Sequence, residues 1–452
     1  MNKVLSIILA AGQGTRMKSD KVKVLHHVGG RPMVHYAVDN VAGFSSGTVV
    51  IIGRQGDLVR ESLKGKANLK FIEQEQQLGT GHAVMQAREE IAGHDGPVLV
   101  LYGDTPLLRE ETLRELINVH QEKKAACTVL TTMLIDPTGY GRIIRDEADY
   151  IEKIVEERDA SVEEKKIMEI NSGVCCFDSN LLLEALANLD NKNAQGEYYL
   201  TDTIAYLNEQ GEKVFPYLID DFNEIIGIND RTHLARAERI LRSRINEKHM
   251  ENGVTIIDPA TTYIDSEVEI GQDTIIYPFT YIEGKTIIGR NSIIGPHCRI
   301  RDSEIGEAVN ILDHSIIFES KIGAKSNVGP FAHIRPGCLL EVEAKAGSFV
   351  ELKNSTVGKG SKIPHLSYVG DAVIGQDTNI GAGTIFANYD GEKKYQTQVG
   401  DKVFIGSNTT LVSPVKIGDG GKTGAGSVVT KDVPEGTTVV GVPARKFDRK
   451  ER

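Results

Sequence analysis

The second half of the chain carries a repeat of six residues, and a period of this length leaves few folds open. An isoleucine or valine followed by glycine stands at positions 270, 288, 294, 305, 322, 328, 357, 369, 374, 380, 399, 405, 417 and 440. Intervals of six or multiples of six recur among these pairs, whereas only three such pairs precede residue 250. This period is typical of a parallel β-helix, in which each six-residue unit forms one short side and its aliphatic residue points inward. A glycine-rich β-sandwich would not keep that phase.

The largest slip of the repeat lies between residues 380 and 399. This interval contains the sequence Asn-Tyr-Asp-Gly at 388–391. Because the extra residues cannot fit into one flat side, we expect this segment to leave the coil as a loop. Loops held on a rigid scaffold commonly carry binding residues, so this one is available for function.

The first half of the chain has a different pattern. From residue 1 to about 228, strand-like apolar runs alternate with longer amphipathic stretches, and the run at 98–101 precedes a helical pattern through Leu113, Leu116 and Ile117. This alternation builds a mostly parallel α/β sheet. Residues 232–250 predict a linker helix. We therefore expect three regions: 1–228, the linker region 229–250, and the repeat region 251–452.

A glycine loop follows the first apolar strand. Residues 9–17 read Leu-Ala-Ala-Gly-Gln-Gly-Thr-Arg-Met. Gly12 and Gly14 lack a Cβ, so the backbone can turn sharply and present N–H groups to phosphate oxygens, while Arg16 adds a fixed cation. The loop has neither the Gly-Lys-Ser/Thr of a P-loop nor a third glycine at the dinucleotide spacing. It indicates a nucleotide-phosphate site, and a plain tight turn is the alternative.

Composition narrows the class of partner. A chain of 452 residues is long enough for two or three domains, and its net charge of −11 argues against a general nucleic-acid binder or attachment to an anionic membrane. No apolar stretch approaches the ~20 residues that span a bilayer, and the N-terminus lacks a signal-peptide layout, so we expect a cytosolic protein. Five scattered cysteines without a Cys-x-x-Cys motif favour reduced, buried thiols.

Several stretches together resemble one bacterial enzyme family. They are the loop at 9–17, Gln-Leu-Gly-Thr-Gly-His-Ala at 77–83, Tyr-Gly-Asp at 102–104, Asn-Ala-Gln-Gly-Glu-Tyr-Tyr at 193–199, and the hexapeptide half. Over nearly the whole chain they resemble the bifunctional N-acetylglucosamine-1-phosphate uridylyltransferase/glucosamine-1-phosphate acetyltransferases. The resemblance implies an α/β Rossmann-like nucleotidyltransferase domain followed by a left-handed parallel β-helix acetyltransferase domain. It also implies a homotrimer whose acetyltransferase site lies between neighbouring coils.

For the first half, the resemblance implies transfer of UMP from UTP to N-acetylglucosamine-1-phosphate, with Mg²⁺ as the metal and pyrophosphate as the leaving group. Lys23 and Arg16 would balance the triphosphate charge, and Asp104 and Asn229 would bind Mg²⁺, which prefers oxygen ligands. Taken alone, an aspartate at a strand end is also a common turn or cap residue. The implied nucleotide and sugar contacts are Leu9, Ala10, Ala11, Gly12, Lys23, Gln74, Gly79, Thr80, Tyr102, Gly103, Asp104, Gly141, Glu156, Asn171 and Asn229, with Gln74, Gly79 and Thr80 at uracil and Gly141, Glu156 and Asn171 at the amino sugar.

For the second half, the resemblance implies acetylation of glucosamine-1-phosphate by acetyl-CoA. His365 would be the general base that removes a proton from the amine, with Glu351 orienting it, although a lone histidine on a β-helix is often structural. The implied substrate contacts are Arg335, Glu351, Lys353, Tyr368, Asn379, Asn388 and Tyr389. Ala382, Ser407 and Ala425 would line the acetyl-CoA groove, where small side chains leave room for the pantetheine arm.

Three positions depart from the family pattern. Val22 replaces the proline that usually precedes Lys23, so we expect a less preorganised turn with activity retained. Pro364 replaces the glycine common before the base and should stiffen that loop. The C-terminal sequence Gly-Val-Pro-Ala-Arg at 441–445 is typical of other hexapeptide acyltransferases, so the CoA-phosphate contacts are not carried over.

Two other functions stay open at this point. The first is a nucleotidyltransferase with a single activity, whose β-helix only oligomerises; His365, Arg335 and Lys353 weigh against it. The second is a non-catalytic scaffold, as in translation-factor relatives that pair the same two folds. Such a scaffold should have lost the phosphate and metal residues, yet they are present.

Overall fold

The computed structural model describes residues 4–447. Its contacts divide the chain into two compact units, Met1–Leu241 and Arg242–Arg452, and the division falls within the helix Arg231–Glu251. All five cysteines are free and buried, as the sequence predicts. No helix among the described residues is both long and apolar enough to cross a lipid bilayer.

The first unit is built around one sheet. Its strands are β1 Val4–Ala10, β2 His27–Val28, β3 Arg31–Pro32, β4 Ser45–Ile52, β5 Leu69–Glu73, β6 Pro97–Tyr102, β7 Cys127–Met133, β8 Arg142–Arg145, β9 Ile151–Val155, β10 Glu169–Asp178 and β11 Val214–Ile219. The order across the main sheet is β11-β7-β10-β6-β1-β4-β5, with β8 and β9 beside β10 and with β2 and β3 paired separately. Within that order β10 runs antiparallel to its neighbours β6 and β7, whereas β1 is parallel to β4 and β6. The side strands β8 and β9 are antiparallel to each other. The expected mostly parallel, Rossmann-like sheet is confirmed.

Helices cover this sheet on its two faces. They are α1 Met33–Ala42, α2 Gly56–Ser62, α3 Thr80–Met85, α4 Arg88–Ala92, α5 Glu110–Lys123, α6 Ser179–Ala187, α7 Asp202–Glu209 and α8 Arg231–Glu251, with short 3₁₀ turns at Thr15–Met17, Lys23–Leu25, Glu164–Lys166, Phe222–Ile225 and, in the second unit, Pro259–Thr261. All residues of β1 are buried, which is the pattern of a strand covered on both faces. The helical spacing in α5 places Leu113, Leu116 and Ile117 in the core, as predicted.

Two neighbouring parallel strands place the glycine loop and Asp104 side by side. β1 pairs with β6 through Leu9 and Tyr102, and the Gly103 N–H donates to the Leu9 carbonyl at 2.9 Å. Since the carboxyl ends of parallel strands open onto one edge of the sheet, the segments that follow β1 and β6 face the same space.

The second unit is a coil with three flat faces of stacked parallel strands. The first face contains Thr255–Ile256, Ile275–Ile276, Ile293–Ile294, Asn310–Ile311, Asn327–Val328, Lys345–Ser348, Lys362–His365, Asn379–Ile380, Phe404–Ile405, Lys422–Thr423 and Thr438–Val440, closed by the antiparallel strand Arg445–Lys446. The second contains Tyr263–Ile264, Tyr281–Glu283, Arg299–Arg301, Ile316–Phe318, His333–Ile334, Glu351–Lys353, Tyr368–Gly370, Ile385–Ala387, Thr410–Val412 and Val428–Val429. The third contains Glu269–Ile270, Ile287–Ile288, Glu304–Ile305, Lys321–Ile322, Leu339–Leu340, Thr356–Val357, Ala372–Ile374, Thr397–Val399 and Val415–Ile417. This is the predicted left-handed parallel β-helix.

The repeated aliphatic residues fill the interior of the coil. Ile294, Val328 and Ile405 are fully buried, while Ile270 and Val440, in the first and last turns, are only partly buried. Burial of one such side chain stabilises the fold by about 1.5–3 kcal/mol, so the repeat itself supplies the core.

One turn of the coil is longer than its neighbours. Equivalent positions in successive turns are separated by 17 residues, as between Thr286 and Ser303, or by 18, as between Thr274 and Ser292. Between Thr378 and Val403 the separation is 25 residues. The additional residues form the loop between Ala387 and Thr397, which confirms that the slip of the repeat marks a segment that leaves the coil.

One corner of the coil carries a ladder of rings. Phe279, His297, His314, Phe331 and Phe349 occupy equivalent corner positions with φ between 56° and 60°. Each ring stacks on the next with centroids 4.7–5.0 Å apart. In the following turns the same left-handed position is held by Leu366, Gly383, Asn408 and Gly426. The corner thus supplies a register by which residues of different turns can be aligned.

Two candidate active sites

The first unit has a cavity of about 460 Å³ at the carboxyl ends of β1, β5 and β6. The structure brings nearly all of the predicted nucleotide and sugar contacts to its wall, namely Leu9, Ala10, Ala11, Gly12, Lys23, Gln74, Gly79, Thr80, Tyr102, Asp104, Gly141, Glu156, Asn171 and Asn229. These residues come from six separate segments, so the cavity is a product of the fold and not of one motif.

Lys23 crosses the glycine loop and reaches both predicted metal ligands. Its ammonium donates to a carboxylate oxygen of Asp104 and, at 3.3 Å, to Oδ1 of Asn229. The Ile228 N–H donates to the Asp104 carbonyl at 2.9 Å, which fixes the two segments together. A Cβ on Gly14, whose φ is +63°, would lie 2.6 Å from Cβ of Lys23. The loop therefore needs glycine there to let Lys23 pass.

The side-chain oxygens of Asp104 and Asn229 both point to the ammonium group of Lys23. Their convergence on one positive charge shows whether they could also bind a metal ion. Two such oxygens suit a hard divalent cation that takes its other ligands from water and phosphate. Among residues 4–447, no group of three or more histidine, cysteine, aspartate or glutamate side chains gathers into a cluster that could hold a metal. The residues present thus fit a cation that is completed by its substrate.

Two predicted residues lie outside the cavity wall. Gly103 uses its N–H in the bond to Leu9, so its part is to hold β1 against the segment after β6. Arg16 is exposed on the 3₁₀ turn Thr15–Met17. It lies near enough to Asp230 to help lower the pKa of that carboxyl, whose larger cause is a hydrogen bond from the His233 backbone.

The wall beside Gln74 is held by the predicted 193–199 stretch. The Tyr198 N–H donates to Leu78, and the Gly81 N–H donates to Tyr198, both at 2.8 Å. A Cβ on Gly79 would lie 2.5 Å from the Tyr198 carbonyl, so only glycine fits at that position. The two stretches therefore form one side of the cavity together.

The opposite wall carries a carboxyl group in a partly apolar setting. Burial raises the pKa of Glu156, although its Oε1 accepts a hydrogen bond from Thr201 at 3.1 Å. Burial and the nearby Glu156 carboxyl raise the pKa of Asp202 to about 6. The Asn171 N–H donates to the Gly141 carbonyl at 2.9 Å, which joins the three predicted sugar contacts into one patch.

In the second unit, the predicted base and cofactor residues form a column. His365, Ala382, Ser407 and Ala425 each come immediately before the left-handed corner residue of four successive turns. The Gly383 N–H points to the His365 carbonyl at 3.4 Å, and the Asn408 N–H donates to the Ala382 carbonyl at 2.7 Å. Small side chains thus continue along the coil from the exposed His365. Asn379 lies on the neighbouring first face, paired with Lys362 and Phe404.

The predicted phosphate contacts gather at the other end of the second-face strands. Arg335 directly follows the strand His333–Ile334, Lys353 ends the equivalent strand of the next turn, and Gly370 pairs with Lys353 one turn further on. A Cβ on Gly370 would lie 2.5 Å from the Tyr368 hydroxyl and 2.7 Å from Nδ2 of Asn388, so both side chains fill the space that this glycine leaves. Tyr389 is exposed on the extruded loop, where its hydroxyl donates to Gly391.

Glu351 has a different partner from the one expected. Its Oε1 accepts a hydrogen bond from Arg335 at 2.9 Å, and among the described residues the side chain of His365 makes no hydrogen bond to it. The reason is the register, since Glu351 pairs with Tyr368 on the second face and Ser348 pairs with His365 on the first. Within one chain, the Glu351 carboxylate thus lies against Arg335, and its expected part in orienting His365 stays a prediction.

Both halves of the chain match known protein families. Residues 6–193 match the model of the MobA-like NTP transferase domain, 259–346 that of the GMPPB C-terminal domain, and 396–431 that of the bacterial transferase hexapeptide (six repeats). The bifunctional protein GlmU of Listeria monocytogenes serotype 4b is 49% identical over 451 residues, which cover 100% of this chain and 98% of the relative. The chain belongs to the GlmU family.

Other GlmU proteins match to a similar extent. That of Acetivibrio thermocellus is 49% identical over 437 residues, covering 96% of this chain and 94% of its own length. That of Halalkalibacterium halodurans is 48% identical over 435 residues, which cover 96% of this chain and 95% of the relative. The family expected from the sequence is confirmed, and with it the pairing of a uridylyltransferase with an acetyltransferase. The alternatives of a single activity and of a scaffold are set aside.

Sequence reasoning missed two charged residues, Asp371 and Lys394, at the candidate acetyltransferase site. Asp371 accepts hydrogen bonds from Lys353 at 3.2 Å, from Asn354 at 2.8 Å, and from Asn388. Although partial burial acts in the opposite direction, these bonds lower the pKa of Asp371. Contact with Lys353 lowers the pKa of Lys394, on the extruded loop, and the Arg335 charge adds to this effect. Three cations and two carboxylates, those of Glu351 and Asp371, therefore meet where the sequence suggested two cations.

The backbone at Val22 has a conformation that proline could also adopt. Val22 has φ −53° and ψ 133°, within the range that proline imposes, and no hydrogen bond from its N–H is found among the described residues. We expect Val22→Pro to raise the stability of the first unit by about 0.4–1 kcal/mol, because proline restricts the unfolded chain. Thermal unfolding measures this. Val22→Ala, which removes packing without restricting φ, should lower the midpoint, and a lower midpoint for Val22→Pro would contradict the account.

Proposed function

We propose that the cavity of the first unit binds UTP, N-acetylglucosamine-1-phosphate and Mg²⁺, and that the coil acetylates glucosamine-1-phosphate with acetyl-CoA. The observation that carries the first assignment is the convergence of Lys23, Asp104 and Asn229 at the end of parallel strands beside a glycine loop. The second rests on His365, which begins a column of small residues, and on the cation cluster at the ends of the second-face strands.

The uridylyl transfer proposed here is an in-line displacement. A phosphate oxygen of the sugar phosphate attacks the α-phosphorus of UTP, the new P–O bond forms, and the bond to the β-phosphate breaks to release pyrophosphate. Such reactions need positioning and charge neutralisation more than a covalent nucleophile. Lys23 supplies a fixed cation, Arg16 adds charge from the exposed turn, and Asp104 and Asn229 would hold Mg²⁺. When bound, Mg²⁺ neutralises phosphate charge.

The acetyl transfer proposed here needs a free amine. His365 removes a proton as the amine nitrogen attacks the thioester carbonyl, and the C–S bond then breaks to release CoA. Arg335, Lys353 and Lys394 attract the phosphate of the sugar, an arrangement that a chain of net charge −11 must build locally. Ala382, Ser407 and Ala425 leave room for the pantetheine arm beside the base.

We propose that three copies of the chain assemble and that each acetyltransferase site lies between neighbouring coils. Within one chain, His365 ends a first-face strand, whereas Lys353 ends a second-face strand and Arg335 directly follows one. A neighbouring coil that brought its own cluster toward His365 would complete the site. Free, buried cysteines suit a reducing compartment, so we place the enzyme in the cytoplasm.

The two reactions can be followed separately in one sample. Purified protein is supplied with glucosamine-1-phosphate, acetyl-CoA, UTP and Mg²⁺, and free thiol and pyrophosphate are measured. Both products are expected. Supplying N-acetylglucosamine-1-phosphate without acetyl-CoA should give pyrophosphate alone. Absence of thiol would contradict the acetyltransferase assignment, and absence of pyrophosphate would contradict the uridylyltransferase assignment.

Asp371 offers a test of the phosphate cluster. We expect Asp371→Asn to raise the KM for glucosamine-1-phosphate about tenfold, because hydrogen bonds to a charged group contribute ~1.5–3 kcal/mol and the neutral amide no longer anchors Lys353 and Asn388 as strongly. Pyrophosphate release should not change. Asparagine tolerates the left-handed backbone of residue 371, where φ is 51°.

The matched control is Asp377→Asn. Asp377 has nearly the same backbone, with φ 52°, but lies at a different corner of the coil. It should leave the KM for glucosamine-1-phosphate unchanged. Equal effects of the two substitutions would show that Asp371 acts only through the stability of the coil.

A further inference from the structure

The amide of Gln74 is held in one orientation at the cavity wall. Gln74 is 4% exposed, and its side-chain nitrogen lies 3.1 Å from the Gly79 carbonyl oxygen and 3.0 Å from Nδ1 of His82. A carbonyl oxygen only accepts hydrogen bonds, so the amide atom that faces Gly79 must be the nitrogen. Its two hydrogens are then both used, one by Gly79 and one by Nδ1 of His82, which must be unprotonated.

The oxygen of the same amide is left for a ligand. Oε1 of Gln74 has no hydrogen-bond partner among residues 4–447. The protein does not shield this atom completely from solvent. Since Gln74 lines the cavity, this oxygen is open to it. An amide fixed in this way offers the cavity an acceptor and no donor.

The other ring nitrogen of His82 does not undo this arrangement. Nε2 of Gln86 donates to the His82 carbonyl at 3.0 Å and lies farther, 3.3 Å, from Nε2 of His82. Gln86 is only partly buried, so its second N–H can point to water and needs no acceptor on the ring, whereas the buried amide of Gln74 cannot exchange its partners. The neutral His82 ring therefore carries its proton on Nε2 and accepts at Nδ1.

We propose that His82 is a positioning residue which holds Gln74 as an obligatory acceptor, and that this acceptor selects a pyrimidine with an N–H at N3 over one without it. The inference rests on the proposed function of this cavity as the UTP site, with Gln74 at the base. Uracil donates its N3–H to Oε1, whereas cytosine presents the lone pair of N3 to the same oxygen. A site built to hydrogen-bond a substrate group rejects analogues that lack the group.

The test compares UTP with CTP in the uridylyltransferase assay of the full chain. The unmodified protein should prefer UTP in kcat/KM. His82→Leu frees the amide of Gln74 to rotate, so we expect this preference to fall about tenfold or more. His82→Asn places a side-chain oxygen near the position of Nδ1 and should restore most of the preference. Because both nucleotides are tested on one preparation, a partial loss of folded protein cancels in the ratio.

The outcomes separate this inference from the proposed function. If the unmodified protein released no pyrophosphate from UTP and N-acetylglucosamine-1-phosphate, the proposed function would fail. If it did so but His82→Leu kept the full preference for UTP, the function would stand and the role of His82 would be overturned. A protein that used UTP and CTP equally well would also overturn it. Pyrophosphate release from UTP by each variant shows that the first unit is folded, because thiol release reports only on the second unit.

Discussion

Lys23→Ala and Asp104→Ala are each expected to lower pyrophosphate release by about 10²–10³-fold, which is typical for the loss of one group that stabilises transition-state charge. Lys23 is the cation that joins Asp104 to Asn229, so its removal leaves the triphosphate without its fixed neutralising group. Thiol release should stay near the level of the unmodified protein. The measurement is the initial rate of each product with saturating substrates.

Lys21→Ala is the matched control for this prediction. Lys21 lies two residues away on the same segment but is exposed, and it does not line the cavity. It should lower pyrophosphate release by far less. If Lys23→Ala abolished both activities in a folded protein, the two sites would not be separate, and the account of the first unit would be wrong.

His365→Ala has the opposite expected effect. Loss of a general base commonly costs about 10²–10⁴-fold, so thiol release should fall by that factor while pyrophosphate release from N-acetylglucosamine-1-phosphate continues. His365 is exposed and its backbone is held by the coil, so removing the imidazole should leave the fold intact. His297→Ala changes an exposed histidine on the same corner of the coil, several turns away, and should leave both rates almost unchanged. Retained thiol release in His365→Ala would show that the base is another residue.

Much of the fold could be predicted because its pattern is local. An aliphatic residue every six positions must point inward on each side of a coil. Where the repeat is interrupted after residue 380, the additional residues must leave the coil as a loop. The turns of 17 residues were not foreseen. Such a turn lacks one residue at a corner, which shifts the six-residue repeat while the strands of each face still pair. In the first unit, the antiparallel strand β10 gives no signal of its direction in its own residues.

The candidate sites were only partly visible for a physical reason. Along the chain, Lys23 is 81 residues from Asp104 and 206 residues from Asn229. No spacing rule joins such distant residues, and only the family motifs linked them. Asp371 and Lys394 look like ordinary charged residues at a corner and on a loop, and only the packing of successive turns brings them against Lys353. The contact of Glu351 with Arg335 could not be foreseen, because strand register, which the sequence does not state, decides it.

The most direct test of two sites acting in series mixes the two defective proteins. Lys23→Ala and His365→Ala are each supplied with glucosamine-1-phosphate, acetyl-CoA, UTP and Mg²⁺, and UDP-N-acetylglucosamine is measured. Each alone should make almost none, with Lys23→Ala accumulating N-acetylglucosamine-1-phosphate. The mixture should make the final product, because the acetylated sugar phosphate released by one protein is the substrate of the other. A mixture that stays inactive, or Lys23→Ala that makes the final product alone, would contradict the account.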